Sequence, residues 1–239
     1  MTFSAACEPS PEGAQACPSP AAACDDDHVA EPGRAIYLLL TGREPGDADI
    51  EDNHRFDEHI FASILAVAAL EGGSIGQRVG LVAGDLAGLA ERWFPHLREA
   101  ILRWSSEAPH AEDDEVAMVR ELLMANRSTD CPESRWLALM VARRALEANH
   151  LWEDLGLRNR NELSRLLMRH FAPLARRNTR GMRWKRFFYR MLCEDDGFLI
   201  CSTPVCTDCP DFDDCFGEES GESRLARRRR DSSLNATAV

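Results

Sequence analysis

Cys201, Cys206, Cys209 and Cys215 fall within fifteen residues, in the pattern C-x4-C-x2-C-x5-C. The two-residue gap between Cys206 and Cys209 lets two thiolates turn back onto one centre, a geometry shared by tetrahedral zinc and by iron–sulfur clusters. A structural zinc site usually draws its second close pair from a separate knuckle or helix. Here the two outer cysteines flank the pair in one continuous loop. C-x4-C-x2-C is also the opening of the plant-type ferredoxin spacing, although there the fourth cysteine is remote. Pro204 and Pro210 lie two and one residues from a cysteine. They restrict the backbone and reduce the entropy lost when the loop closes on a metal. Spacing alone leaves zinc and a cluster both open and excludes little beyond four unrelated thiols.

Charge is divided sharply on either side of this loop. Arg158 to Arg190 contains eleven basic residues and one acid, Glu162, whereas Met191 to Ser223 contains ten acids and no Lys or Arg. Thiolates on a metal add further negative charge, which a neighbouring basic face would offset. Arg180, Arg183, Lys185 and Arg186 are therefore candidates for docking an oxyanion or an acidic partner. In the same stretch Trp184, Phe187 and Phe188 sit at helical spacing, so they are expected in the core, with the arginines on the solvated face. Cys193 lies eight residues before the loop and is a candidate fifth ligand or transfer thiol, or else a buried helical cysteine. His150 and His170 belong to the same basic half and are the candidate imidazole ligands.

The elements that must position these groups read as helices. In His54–Glu71, Phe56, Ile60, Ile64 and Val67 share one face. Leu81–Trp93 and Phe94–Trp104 are weaker stretches, with Pro95 as a start or break. Val116, Val119, Leu122 and Leu123 form the next stripe. Glu133–His150 follows, then a helix with Asn161 as N-cap that carries Leu163, Leu166, Leu167 and His170 or Phe171. Pro173 closes or restarts it. Met182–Leu192 is the last helix. Ala35–Gly42, "AIYLLLTG", is the one candidate strand and reads equally well as a helix. The expected class is all-α: a helical domain over residues 34–193, with an irregular cysteine-rich metal-binding loop at residues 194–219 packed on it.

Apolar residues make up 44% of the 239, enough for a real core. Residues 1–33 are rich in Ala, Pro and acids and are expected to be disordered, as is the tail at 220–239. The net charge of −12 is largely local, because the first 53 residues carry eleven acids against Arg34 and Arg43. Neither a signal-like start nor an apolar run of about 20 residues is present, so a cytoplasmic location without membrane insertion is expected. Thiols stay reduced there, which favours metal or redox chemistry over disulfides; nine cysteines is also an odd number. Cys7, Cys17 and Cys24 read as incidental residues of the tail.

Residues Asn149–Glu219, and above all "WKRFFYRMLC" followed by C-x4-C-x2-C-x5-C-F-G, closely resemble the NifQ family of nitrogen-fixation proteins. The likeness is weaker back to "DDEVAMVRELL" at Asp113 and is not recognisable over residues 1–110. The resemblance implies a non-catalytic carrier of a molybdenum–iron–sulfur cluster that supplies molybdenum for the nitrogenase iron–molybdenum cofactor. It implies that Cys201, Cys206, Cys209 and Cys215 hold the cluster, and that Cys193 matches the family's Leu-Cys position. Molybdate and the cofactor-assembly proteins would be its partners, with no role for nucleic acid. The rival readings are a metal- or redox-responsive regulator binding nucleic acid through Arg165–Arg190, and an interaction module stapled by zinc. No helix-turn-helix pair stands out to support the regulator.

Overall fold

The computed structural model describes residues 32–103, 113–195 and 212–217, and every regular element among them is helical. The helices are α1 (Pro32–Thr41), α2 (Asn53–Leu70), α3 (Ile75–Val79), α4 (Ala83–Trp93), α5 (Arg98–Arg103), α6 (Asp114–Ala125), α7 (Pro132–Ala145), α8 (Leu151–Asp154), α9 (Arg160–His170), α10 (Ala172–Ala175), α11 (Trp184–Asp195) and α12 (Phe212–Phe216). Short 3-10 turns stand at Pro45–Asp47 and Pro95–Leu97. The expected tails lie outside the described residues, except for Pro32 and Gly33, which open α1.

Helix α2 is the centre of the core. The stripe read from the sequence is buried, but so are Phe61, Ala62, Ser63, Leu65, Ala66 and Ala68 around the rest of the helix. A helix that is apolar nearly all round must be covered on every side, and small residues let its neighbours approach. Gly156 shows how close that approach is. It has φ +72°, and a Cβ there would stand 2.6 Å from the Ser63 carbonyl oxygen and 2.5 Å from Val67 Cγ2. Helix α1 packs on α2, α6 on α7, and α11 on α6.

Several boundaries differ from the sequence reading, each for a local reason. "AIYLLLTG" is helical, because Tyr37 and Leu40 recur at helical spacing and both are buried. Helix α4 starts at Ala83, two residues later than read, and Pro95 begins a 3-10 turn that separates it from α5. The N-cap of α9 is Asn159, not Asn161. Asn159 is extended (φ −164°, ψ 171°), and its side-chain oxygen accepts the amides of Asn161 and Glu162. The helix expected to run to His150 stops at Ala145. There the chain doubles back so that Arg144 Nε donates to the Asp154 carbonyl (2.8 Å). Helix α11 extends to Asp195, past the expected end of the domain. Residues 212–217 are not irregular, since α12 makes one helical turn there.

Helices α2 and α9 are joined by polar pairs across the core. His59 Nε2 donates to Glu162 Oε2 (3.2 Å), and Tyr37 Oη lies 2.7 Å from His59 Nδ1. In the reverse sense Asp57 of α2 accepts Nε and Nη2 of Arg169 (2.8 and 2.7 Å) and Nε2 of His170 (3.0 Å). Burial pushes the Asp57 carboxyl up, but hydrogen bonds from His170 and Arg169 outweigh it, and its pKa lies below the ordinary value. Glu162 behaves alike: burial raises it, while His59 and Arg158 bring it below the usual range. Burial pushes the Tyr37 hydroxyl far up, so it stays protonated as a donor.

Removing one partner of a buried ion pair strands the other. Asp57→Asn should therefore destabilise the fold by about 3 kcal/mol, read as a lower urea midpoint at neutral pH. Both carboxyls have depressed folded pKa values. Their stabilisation is complete above the unfolded value of about 4 and is lost as pH falls through the folded values. Wild-type stability should hold from pH 7 to about 4 and then decline, and the Asp57→Asn variant should decline less steeply in that acid range.

Candidate metal centre and its basic clamp

Of the four loop cysteines, Cys215 is described, and Cys201, Cys206 and Cys209 lie outside the described residues. Among the described residues no group of three or more His, Cys, Asp or Glu is placed to hold a metal ion. Cys131, Cys193 and Cys215 are in no disulfide, and each is half-buried. Cys131 has a structural place: it is the N-cap of α7, and its sulfur accepts the Ser134 amide at 3.5 Å.

The setting of Cys215 comes from the basic segment. The Arg183 amide donates to the Cys215 carbonyl (2.8 Å), and the Arg183 guanidinium reaches the carbonyls of Gly217 (3.3 Å) and Asp214 (3.4 Å). Arg186 Nη2 donates to Asp214 Oδ2 at 3.3 Å. The Arg180 guanidinium lies 5.3 Å from the centre of the Phe216 ring, within the range of a cation–π contact. Gly217 is needed sterically. A Cβ there would collide with the Asp213 carbonyl and stand 2.9 Å from Arg183 Nη2. The Phe-Gly that follows the last cysteine is therefore the surface on which Arg180 and Arg183 close.

Lys185 makes a different set of bonds. Its Nζ donates to Asp154 Oδ2 (2.7 Å) and to the Glu147 carbonyl, and the Asp154 side chain is fully buried. Asn149 Nδ2 supplies a further donor to Asp154 Oδ1 (3.0 Å), while Arg144 spans the Asp154 carbonyl and both oxygens of Glu71. Lys185 thus pairs inside the protein, although it also lines the cavity shared by Arg183 and Arg186. Nothing in the sequence links Glu71, Arg144, Asp154 and Lys185, which are far apart in the chain.

The histidines separate in the same way. Both ring nitrogens of His170 are engaged, Nε2 with Asp57 and Nδ1 with Ser134 Oγ (3.1 Å), and the residue is 4% exposed. It is an internal bridge between α2, α7 and α9, which corrects its candidacy as a ligand. His150 stands before α8, with its amide donating to Glu153 Oε2 (3.1 Å). It lines a cavity of about 430 Å³ together with Leu151, Leu163, Arg183, Arg186 and Asp214. His150, Arg183 and Arg186 thus share one cavity beside the Cys215 turn.

Cys193 does not share that place. It follows Arg183 by ten residues along α11, about 15 Å of helical rise, whereas Cys215 is bonded to Arg183 itself. Thiolates on one zinc ion lie within about twice a 2.3 Å bond of each other. Cys193 and Cys215 stand near opposite ends of α11, too far apart to share one metal ion, and the other three loop cysteines, against which the fifth-ligand expectation would be judged, lie outside the described residues.

Arginines of the basic stretch Arg158–Arg190, two of them within the Arg165–Arg190 span of the nucleic-acid reading, are also engaged internally. Arg160 donates to the carbonyls of Gly181 and Met182, Arg165 to the Glu51 carbonyl and over the Phe56 ring, and Arg169 to Asp57. No helix among the described residues is long and apolar enough to cross a membrane.

The NifQ family profile matches residues 60–217, from inside α2 to the glycine that admits Arg183. The chain belongs to the NifQ family. It is 39% identical over 172 residues to a protein NifQ homolog of Sinorhizobium fredii, covering 70% of this chain and 75% of that one. Protein NifQ of Rhodobacter capsulatus is 42% identical over 161 residues (67% and 87% of the two chains), and that of Azotobacter vinelandii 50% over 106 (44% and 54%). No solved structure matches the chain. The NifQ match begins well upstream of residue 110, where the sequence reading had found no likeness. Those helices carry ordinary apolar stripes and no marked residue types.

Two substitutions separate the local clamp from the deeper pair. Lys185→Met should leave Asp154 buried without its cation and lower global stability by about 3 kcal/mol, measured by urea denaturation. Arg183→Gln should leave the global transition within about 1 kcal/mol while raising hydrogen exchange at the amides of 213–217.

Proposed function

We propose that this NifQ-family protein carries a molybdenum–iron–sulfur cluster as cargo and donates its molybdenum to assembly of the nitrogenase iron–molybdenum cofactor. Family membership supports the nitrogen-fixation role, and the setting of Cys215 supports the cargo chemistry. Cys215, a reduced and half-buried thiol, sits on a turn ringed by Arg180, Arg183 and Arg186. Several thiolates on one centre concentrate negative charge, and guanidinium groups nearby favour the deprotonated, metal-binding form. Cys201, Cys206 and Cys209 are the other proposed ligands. Thiolates suit iron, whereas molybdenum accepts mixed oxygen, nitrogen and sulfur donors, for which His150, lining the cavity with Arg183 and Arg186, is the proposed imidazole. The protein's own contribution is to hold, shield and release. Nothing in this role needs a catalytic group. A cytoplasmic site of action, beside the cofactor-assembly proteins, follows from the same reading.

The single observation that carries this reading is the arginine clamp on the last cysteine of the family signature. Oxygen-free purification followed by metal and sulfide analysis tests it. Iron, acid-labile sulfide and molybdenum should copurify with the wild type, and the double change Cys206→Ser, Cys209→Ser should remove them. Cys215→Ser should lower iron content at least several-fold, while Cys193→Ser leaves it unchanged. Zinc alone, in a colourless protein, would refute the proposal and favour the zinc-stapled module.

A further inference from the structure

We propose that the cavity at the start of α11 binds a tetrahedral dianionic oxyanion, molybdate, on Arg183 and Arg186, and that Asp214 occupies the anion's place until it arrives. The inference rests on the carrier reading for the choice of anion, and on the cavity for the site. Two guanidinium groups meet there, and the planar fork of arginine matches paired oxygens on a tetrahedral anion better than a point charge does. Leu151, Leu163 and Trp184 form apolar wall, which strengthens the attraction by excluding water. At about 430 Å³ the cavity holds such an anion with several waters, each needing about 30 Å³. Lys185 also lines it, but its charge is matched by Asp154.

Two carboxylates oppose an incoming anion. Glu153 is 4% exposed and is held by the His150 amide, so it stays. Asp214 is different. Its contact with Arg186 is 3.3 Å long, between side chains 52% and 61% exposed. Pairs of this kind contribute little, so a dianion binding both arginines displaces it. Asp214 adjoins Cys215, and its release frees the turn that carries the thiol. Molybdenum would then enter as an oxyanion at a site lined by Arg183, Arg186 and Asp214, beside the turn that carries Cys215. No bond to molybdenum is made or broken in this step.

Equilibrium dialysis of the full-length, metal-free, reduced protein against molybdate tests the site. Arg186→Gln should weaken binding at least tenfold. Asp214→Asn should tighten it several-fold, an opposite effect that a merely structural role for the pair would not produce. The double change Cys206→Ser, Cys209→Ser should leave molybdate affinity within twofold. Unchanged affinity in Arg186→Gln, or loss of binding in the cysteine variant, would overturn the proposal. So would sulfate displacing molybdate completely at equal concentration, which would mark a general anion site. Protein that purifies without iron or sulfide yet binds molybdate with this pattern would sink the cluster-carrier reading and leave the pocket standing.

Discussion

The carboxylate of Asp154, fully buried, constrains the whole functional end of this protein. A charge in that position is tolerable only with donors on every side. Lys185 and Asn149 supply them, and Arg144 ties the same short helix back to Glu71 at the end of α2. Because Lys185 is the second residue of α11, satisfying Asp154 fixes where α11 begins. The start of α11 in turn fixes Arg183 and Arg186, and those two residues hold α12. A chain of obligate pairings thus runs from the central helix to the cysteine turn, and each link exists because the previous one removes its freedom.

The strengths of these links fall from the core toward the cysteine turn. Asp154, Asp57, Glu162 and Arg144, the partner of Glu71, are buried, so breaking any of their pairs strands a charge. The contacts on α12 are of another kind: carbonyl acceptors at 3.3 and 3.4 Å, an aromatic face and one exposed ion pair. Each contributes little, and the turn they hold is short. Local opening of such a segment costs much less than global unfolding. The proposed carrier role would use this gradient, with a rigid base and a rim that yields.

Much of the fold was legible because helical periodicity depends on neighbours in sequence. The stripes of α2, α6, α9 and α11 were all visible, and "AIYLLLTG" was ambiguous only because a short apolar run satisfies both periods. The cysteine spacing and the Phe-Gly after it were legible for the same reason. The true role of the basic segment was not. On a helix drawn alone, Arg165, Arg169 and Lys185 form a solvated face, and nothing local shows that Asn53, Asp57 and Asp154 stand opposite. Those pairings span from 31 to 112 residues of chain. The early stop of α7 was hidden likewise, since Arg144 turns toward a carbonyl ten residues ahead.

The same point bears on what eleven basic residues in one segment mean. A charge run invites an electrostatic reading at long range, in which the sum of charges attracts a partner. Here Arg158, Arg169, Lys185, Arg186 and Arg190 each pair with a carboxylate, so the far field is weaker than the count implies. What remains is short-range and directional: guanidinium groups of Arg183 and Arg186 aimed at one turn and one cavity. Directional donors select by shape, since only an anion with oxygens at the right separation can replace the carbonyls and carboxylate already there. On the proposed reading, the specificity of this end of the molecule lies in which acceptor the arginines hold, an acceptor from outside competing with one the chain itself provides.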